Sequence, residues 1–187
     1  MTVKSNVLII GSTGRNIGKT EFACRIIEKH SSQNEIVAVK VVPVDKDEFN
    51  CHRGTDTCGL CNSLKTDYKI IEENIGDTSK DTSRMLKAGA KKVYLLLVET
   101  NSLEKGINAL LETLPNNSFV VIESNSIRKV LDPGLFIVIN KLDEDFVKPT
   151  CADVIDLADK IIGFSNMNWD FNPDNVLIEN GDWVIAE

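Results

Sequence analysis

The sequence predicts a three-layer α/β sandwich, built on a mostly parallel sheet and finished by a C-terminal hairpin, and three observations carry that prediction. Residues 7–20 read Val-Leu-Ile-Ile-Gly-Ser-Thr-Gly-Arg-Asn-Ile-Gly-Lys-Thr, an apolar run that ends in a glycine-rich loop and opens into an amphipathic stretch. Short continuous apolar runs then alternate with amphipathic segments, as strands buried on both faces do between covering helices. Near the C-terminus, Asn180-Gly181 separates two strand-like runs, the strongest short hairpin signal.

The 187 residues are most economically one domain, 1–187, with ample length for a buried core. A hydrophobic share of 42% is that of a globular chain, not a disordered one. The formal charge of −7, with no basic run against it, argues against nucleic acid as a partner. The longest apolar runs have strand length, so no membrane span is expected. Residues 1–5 lead straight into the first strand and leave no room for a signal peptide, which makes the cytoplasm the expected compartment.

In strand, loop and helix order, Gly18-Lys19-Thr20 closes a phosphate-binding P-loop, so the sandwich is expected to be of the P-loop nucleoside-triphosphatase type. The loop residues Gly11, Gly14, Arg15, Asn16, Ile17 and Gly18 would wrap the phosphates, and the following helix would add the partial positive charge of its N-terminus. Lys19 would reach the β- and γ-phosphates as a catalytic cation, and the Thr20 hydroxyl would ligate Mg²⁺. The usual pattern has a glycine where this chain has Thr13; Gly11 and Gly14 flank it, and either supplies the positive φ of a tight loop.

The helix after the loop carries Phe22, Ala23, Ile26 and Ile27 at helical spacing. Residues 36–42 form a buried strand that Pro43 stops. A polar loop follows at about 43–66, and loops of that length inside a domain are usually functional. Residues 67–74 read equally as a short strand or a helical turn. A helix over 81–88 ends at Gly89, a strand covers 92–98, and an amphipathic helix covers 101–114, with Asn101 and Glu104 as a capping box. Strands at 119–122 and 135–139, a helix over 150–159 capped by Thr150, and a strand at 160–164 complete the alternation. The hairpin over 176–186 is read as an appended edge.

The long loop holds Cys51, His52, Cys58 and Cys61. Cys58 and Cys61 have the spacing that lets two thiolates meet one metal ion or form a redox pair, and Cys51 offers a third ligand. Zn²⁺, an iron–sulfur cluster, a dithiol and plain unpaired thiols all fit the pattern. Glu123 ends its strand where a catalytic acidic residue polarises water, and it serves equally as a strand-end glutamate. Asp81 is placed to reach the metal and equally to cap a helix. Asn140-Lys141-Leu142-Asp143, after an apolar strand, is similar to the guanine-recognition motif of GTP-binding proteins, with Asn140, Lys141 and Asp143 on the base; a solvated turn is the other reading.

Lys80-Asp81-Thr82-Ser83-Arg84, then Ala88-Gly89-Ala90 before a strand, resembles the pattern of the molybdopterin-guanine dinucleotide biosynthesis protein B family. The P-loop, Lys40 and Glu123 fall in matching order, over roughly residues 5 to 125. The resemblance implies a P-loop GTP-binding protein, often dimeric, using Mg²⁺ beside an enzyme that builds or inserts molybdenum cofactor, with Asp81 at the metal or phosphate site. The chain departs from the pattern at Val41, Val42 and Ser124 and in its cysteine loop. Three functions follow as expectations: a Mg²⁺-dependent nucleotidase, with GTP ahead of ATP, that is an accessory in cofactor biosynthesis; a small-molecule kinase; or a nucleotide-gated metal or redox module.

Overall fold

The computed structural model describes residues 3–45 and 64–186. In chain order the elements are β1 (Val3–Ser12), α1 (Lys19–His30), β2 (Ile36–Val44), β3 (Tyr68–Glu72), α2 (Asp81–Lys87), β4 (Lys92–Glu99), α3 (Leu103–Leu111), β5 (Phe119–Glu123), β6 (Asp132–Lys141), α4 (Pro149–Ala152), β7 (Lys160–Ser165), β8 (Asn168–Trp169), β9 (Val176–Glu179) and β10 (Asp182–Ile185). The first eight strands make one sheet in the order β3-β4-β2-β5-β1-β6-β7-β8. Only the outermost pairs, β3–β4 and β7–β8, run antiparallel; the inner strands are parallel.

Strand periodicity builds the two cores. Successive side chains leave a strand on opposite faces, so Leu8 and Ile10 join Phe22, Ile26 and Ile27 of α1 and Met85 of α2 on one side. Val7 and Ile9 meet Leu103, Ile107 and Leu110 of α3 on the other. Burial on both faces explains the unbroken apolar runs of the inner strands. β1 lies between β5 and β6, so the chain segments leaving these three strands meet at one end of the sheet, where open α/β sheets bind their ligands.

Several expectations need correction. Pro43 does not stop β2: β5 pairs with β2 only as far as Lys40, and beyond it Pro43 continues against β4, opposite Val98. A proline is tolerated where a strand has one neighbour. Of the two readings open for 67–74, the short strand is the one observed, as the antiparallel edge strand β3. Before α3, Thr100–Ser102 is a 3₁₀ turn and no side chain caps the helix, so the Asn101 capping box does not form. The helix read over 150–159 is a single turn, α4, followed by a 3₁₀ turn at Ile155–Leu157, and its N-cap is Lys148 rather than Thr150.

The C-terminal hairpin forms, with positive φ at both Asn180 and Gly181, but β9 and β10 make a sheet of their own rather than an edge. The edge beside β7 is already taken by β8, and Trp183 draws the hairpin onto the face that carries α1. Its ring is buried, its indole N–H donates to the Asn6 carbonyl at 3.0 Å, and it stands edge-on to His30 and Phe119. Among the described residues no helix is long and apolar enough to cross a membrane.

Candidate functional site

The loop between β1 and α1 is shaped by two residues with positive φ, Asn16 at 55° and Gly18 at 72°. Neither Gly11 nor Gly14 has that conformation, which corrects the expected source of the turn. Gly11 is required for another reason: a Cβ there would come within 2.6 Å of the Asn125 side-chain oxygen. Gly18 is the N-cap of α1 and brings no side chain to it, so the first-turn N–H groups keep the donor character that attracts anions.

Beside this loop Lys40, midway along β2, and Glu123, the last residue of β5, stand in register as two opposite charges. Glu123 is only 2% exposed. It accepts a hydrogen bond from the Lys40 ammonium and one from the Thr20 hydroxyl at 2.8 Å, and the Lys19 ammonium lies 3.6 Å from its Oε1. Lys40 also pairs with Asp81, the first residue of α2, at 2.8 Å. The buried carboxylate thus holds two lysines and a threonine together, and a charge at that depth persists because it is paired.

The electrostatics follow the geometry. Burial lowers the Lys19 ammonium below its ordinary value, against the pull of Glu123. Burial opposes the charge on Lys40 as well, but Glu123 and Asp81 together outweigh it and raise the group. Burial would raise Asp81, yet Lys40 and then the Thr20 hydroxyl hold it below the usual aspartate range. The oxygen donors of Thr20, Asp81 and Glu123 form a hard set of the kind that suits Mg²⁺.

The Asn140-Lys141-Leu142-Asp143 segment reaches the same place from β6. The backbone N–H of Lys141 donates to the Thr13 hydroxyl at 3.1 Å, so the threonine in the usual glycine position ties the second segment to the loop. Asp143 is exposed, Asn140 is half-buried at the end of β6, and Glu144 pairs with Lys141 at 2.9 Å. Lys19, Thr20, Lys40, Asp81 and Glu123 are therefore brought into one cluster, with Arg15, Asn16 and Ile17 on the adjoining loop. Cys51, His52, Cys58 and Cys61 lie outside the described residues. Among the described residues no group of three or more His, Cys, Asp and Glu side chains gathers to hold a metal.

Two residues at this end of the sheet carry no local signal in the sequence. Asn125, just after β5, accepts from the Ser12 N–H at 2.7 Å and donates to the Ser12 carbonyl at 3.0 Å, clamping the end of β1. Lys148 bonds the loop twice: its backbone N–H donates to the Thr13 carbonyl at 2.9 Å and its ammonium to the Gly14 carbonyl. Both act over more than a hundred residues, so only the fold reveals them. Comparison of the chain with protein-family models, with curated proteins and with solved structures finds no match.

Proposed function

We propose that the chain is a Mg²⁺-dependent P-loop nucleotide-binding protein of nucleoside-triphosphatase type that binds and hydrolyses GTP, as an accessory in molybdenum or other metal-cofactor biosynthesis. The observation that carries the nucleotide reading is the convergence of Lys19, Lys40 and Thr20 on the buried Glu123, beside a helix whose N-terminus has no side-chain cap. In this reading the loop N–H groups and Lys19 bind the phosphates, and Lys40 with Glu123 fixes where Lys19 and Thr20 sit. Thr20, Asp81 and Glu123 would hold Mg²⁺, which when bound neutralises charge on the phosphates. Asp143 would accept from the guanine N1–H and from its exocyclic N2 amino group. The accessory role rests on the resemblance of the 80–90 segment and the order of the motifs, with a cofactor-biosynthesis enzyme as the partner and a homodimer as the assembly.

A second reading, transfer of the terminal phosphoryl group to a small acceptor, is favoured by a cleft of about 500 Å³ that opens beside the site. Lys40 and Asp81 line it together with Glu72, Glu73, Lys80 and Thr82, over Ile71 and Leu95. A binding panel of GTP, ATP and their diphosphates with and without Mg²⁺, followed by phosphate release without an acceptor, tests both. Tight Mg²⁺-dependent GTP binding with release of phosphate is expected. Binding without release moves the function to the acceptor reading, and no binding of any triphosphate ends both.

A further inference from the structure

We propose that Lys148 is a second phosphate-binding lysine of this site, held on the loop and turning from the Gly14 carbonyl onto a phosphate oxygen when a nucleoside triphosphate binds. The inference rests on the P-loop reading and adds to it a residue that no motif supplies.

Lys148 is positioned rather than adjacent by chance. The turn that carries it is stapled to the phosphate loop by its backbone N–H on the Thr13 carbonyl and by its ammonium on the Gly14 carbonyl. Two residues on, the Thr150 hydroxyl lies 3.4 Å from the side-chain nitrogen of Asn125, the residue that clamps the end of β1. The ammonium therefore sits over the loop with its own backbone fixed, which is the condition under which a charged contact to a ligand loses little conformational freedom.

What faces Lys148 is mostly positive. Arg15 from the loop, Lys19 from α1 and Lys40 from β2 each repel it, and the Cys151 thiol of α4, whose ionisation burial disfavours, would attract it only as a thiolate. A chain of net charge −7 thus gathers four cations at one end of its sheet. Lys19 and Lys40 have Glu123 to balance them, whereas the acceptor that Lys148 holds on the loop is a neutral carbonyl. Such an arrangement suits a multiply charged oxyanion, which offers each cation an acceptor at once.

Burial, and then the repulsion of Lys19, Arg15 and Lys40, push the Lys148 ammonium down to about 8. A bound phosphate would raise it again, so binding takes up a proton above that pH. Nucleotide affinity should then fall as the pH rises through 8.

The test is the affinity of Mg²⁺-GTP for the wild type, Lys148→Met and Lys148→Arg at pH 7 and pH 9. The wild type should bind about tenfold more weakly at pH 9, by the proton linkage of a group titrating near 8. Lys148→Arg, always charged, should keep most of its affinity across that range. Lys148→Met should bind at least about tenfold more weakly at pH 7, as loss of a charge-assisted phosphate contact entails. Because the substitution removes one cation from a repulsive cluster, this variant is expected to fold, and its thermal transition checks that. A folded Lys148→Met that binds like the wild type, or a parallel fall with pH in the wild type and Lys148→Arg, overturns the inference while leaving the P-loop reading in place. Absence of triphosphate binding by the wild type at either pH overturns both.

Discussion

Thr20 and Glu123, 103 residues apart in the chain, are joined by a hydrogen bond of 2.8 Å beside the loop that links β1 to α1. The bond fixes the first turn of α1 against the end of β5, and it places a hydroxyl and a buried carboxylate beside the same lysine. Removing the carboxylate should therefore disturb more than one contact.

Glu123→Ala leaves the ammonium groups of Lys19 and Lys40 beside an apolar gap. Breaking a buried charge pair from one side costs on the order of 3–5 kcal/mol, so the urea midpoint should fall clearly. Glu123→Gln, which can still accept from Thr20, should fall less. Equal midpoints for Glu123→Ala and the wild type would show that the carboxylate does not hold the cluster.

Under the proposed function, a base preference would belong to Asp143 in the segment after β6. If Asp143 reads guanine, Asp143→Asn should lower the preference for GTP over ATP by about tenfold, the equivalent of roughly 1.4 kcal/mol within the range for an unmade charged hydrogen bond. Xanthosine triphosphate should gain affinity in the same variant, since its 2-oxo group presents an acceptor. Competition binding with the three nucleotides measures this, and equal wild-type affinity for ATP and GTP removes the guanine reading.

His30 lies under the hairpin, its Nε2–H donating to the Val176 carbonyl at 2.9 Å and its ring edge-on to Trp183. Burial lowers it from the ordinary 6.5, more than the Val176 bond raises it. The unfolded chain therefore takes up the proton first, and stability falls as the pH drops through 6.5 toward the lowered folded value. Urea unfolding at pH 8 and pH 5 should show the wild type losing more stability than His30→Gln. An identical loss in the two proteins would place the titration elsewhere.

The parts of this fold that could be read from the sequence are those in which local chemistry and the observed geometry agree. β1, the loop and α1 are adjacent in the chain, and the apolar runs of β2, β4, β5 and β6 leave few alternatives to buried parallel strands. Lys40 was legible as the one charge breaking an apolar strand and Glu123 as the charge ending another, though their pairing depends on β2 lying beside β5. The antiparallel two-residue strand β8 was too short to show a period. The hairpin's place was hidden because a turn signal says nothing about which surface Trp183 will fill. Thr13 read as a defect in a motif, and its hydroxyl is instead the acceptor that ties in the Lys141 segment. Asn125 and Lys148 are ordinary polar residues until tertiary structure brings them to the end of β1 and to its loop.

The most direct measurement is a calorimetric titration of Mg²⁺-GTP into the wild type and into Lys19→Ala at pH 7. Lys19 extends from the first position of α1, half-buried beside Glu123, and its loss should leave the fold intact as judged by an unchanged cooperative thermal transition. Affinity should drop by at least about tenfold, since a charge-assisted bond to phosphate contributes roughly 1.5–3 kcal/mol. A folded Lys19→Ala protein that binds GTP as tightly as the wild type would contradict the assignment of this loop as a phosphate site.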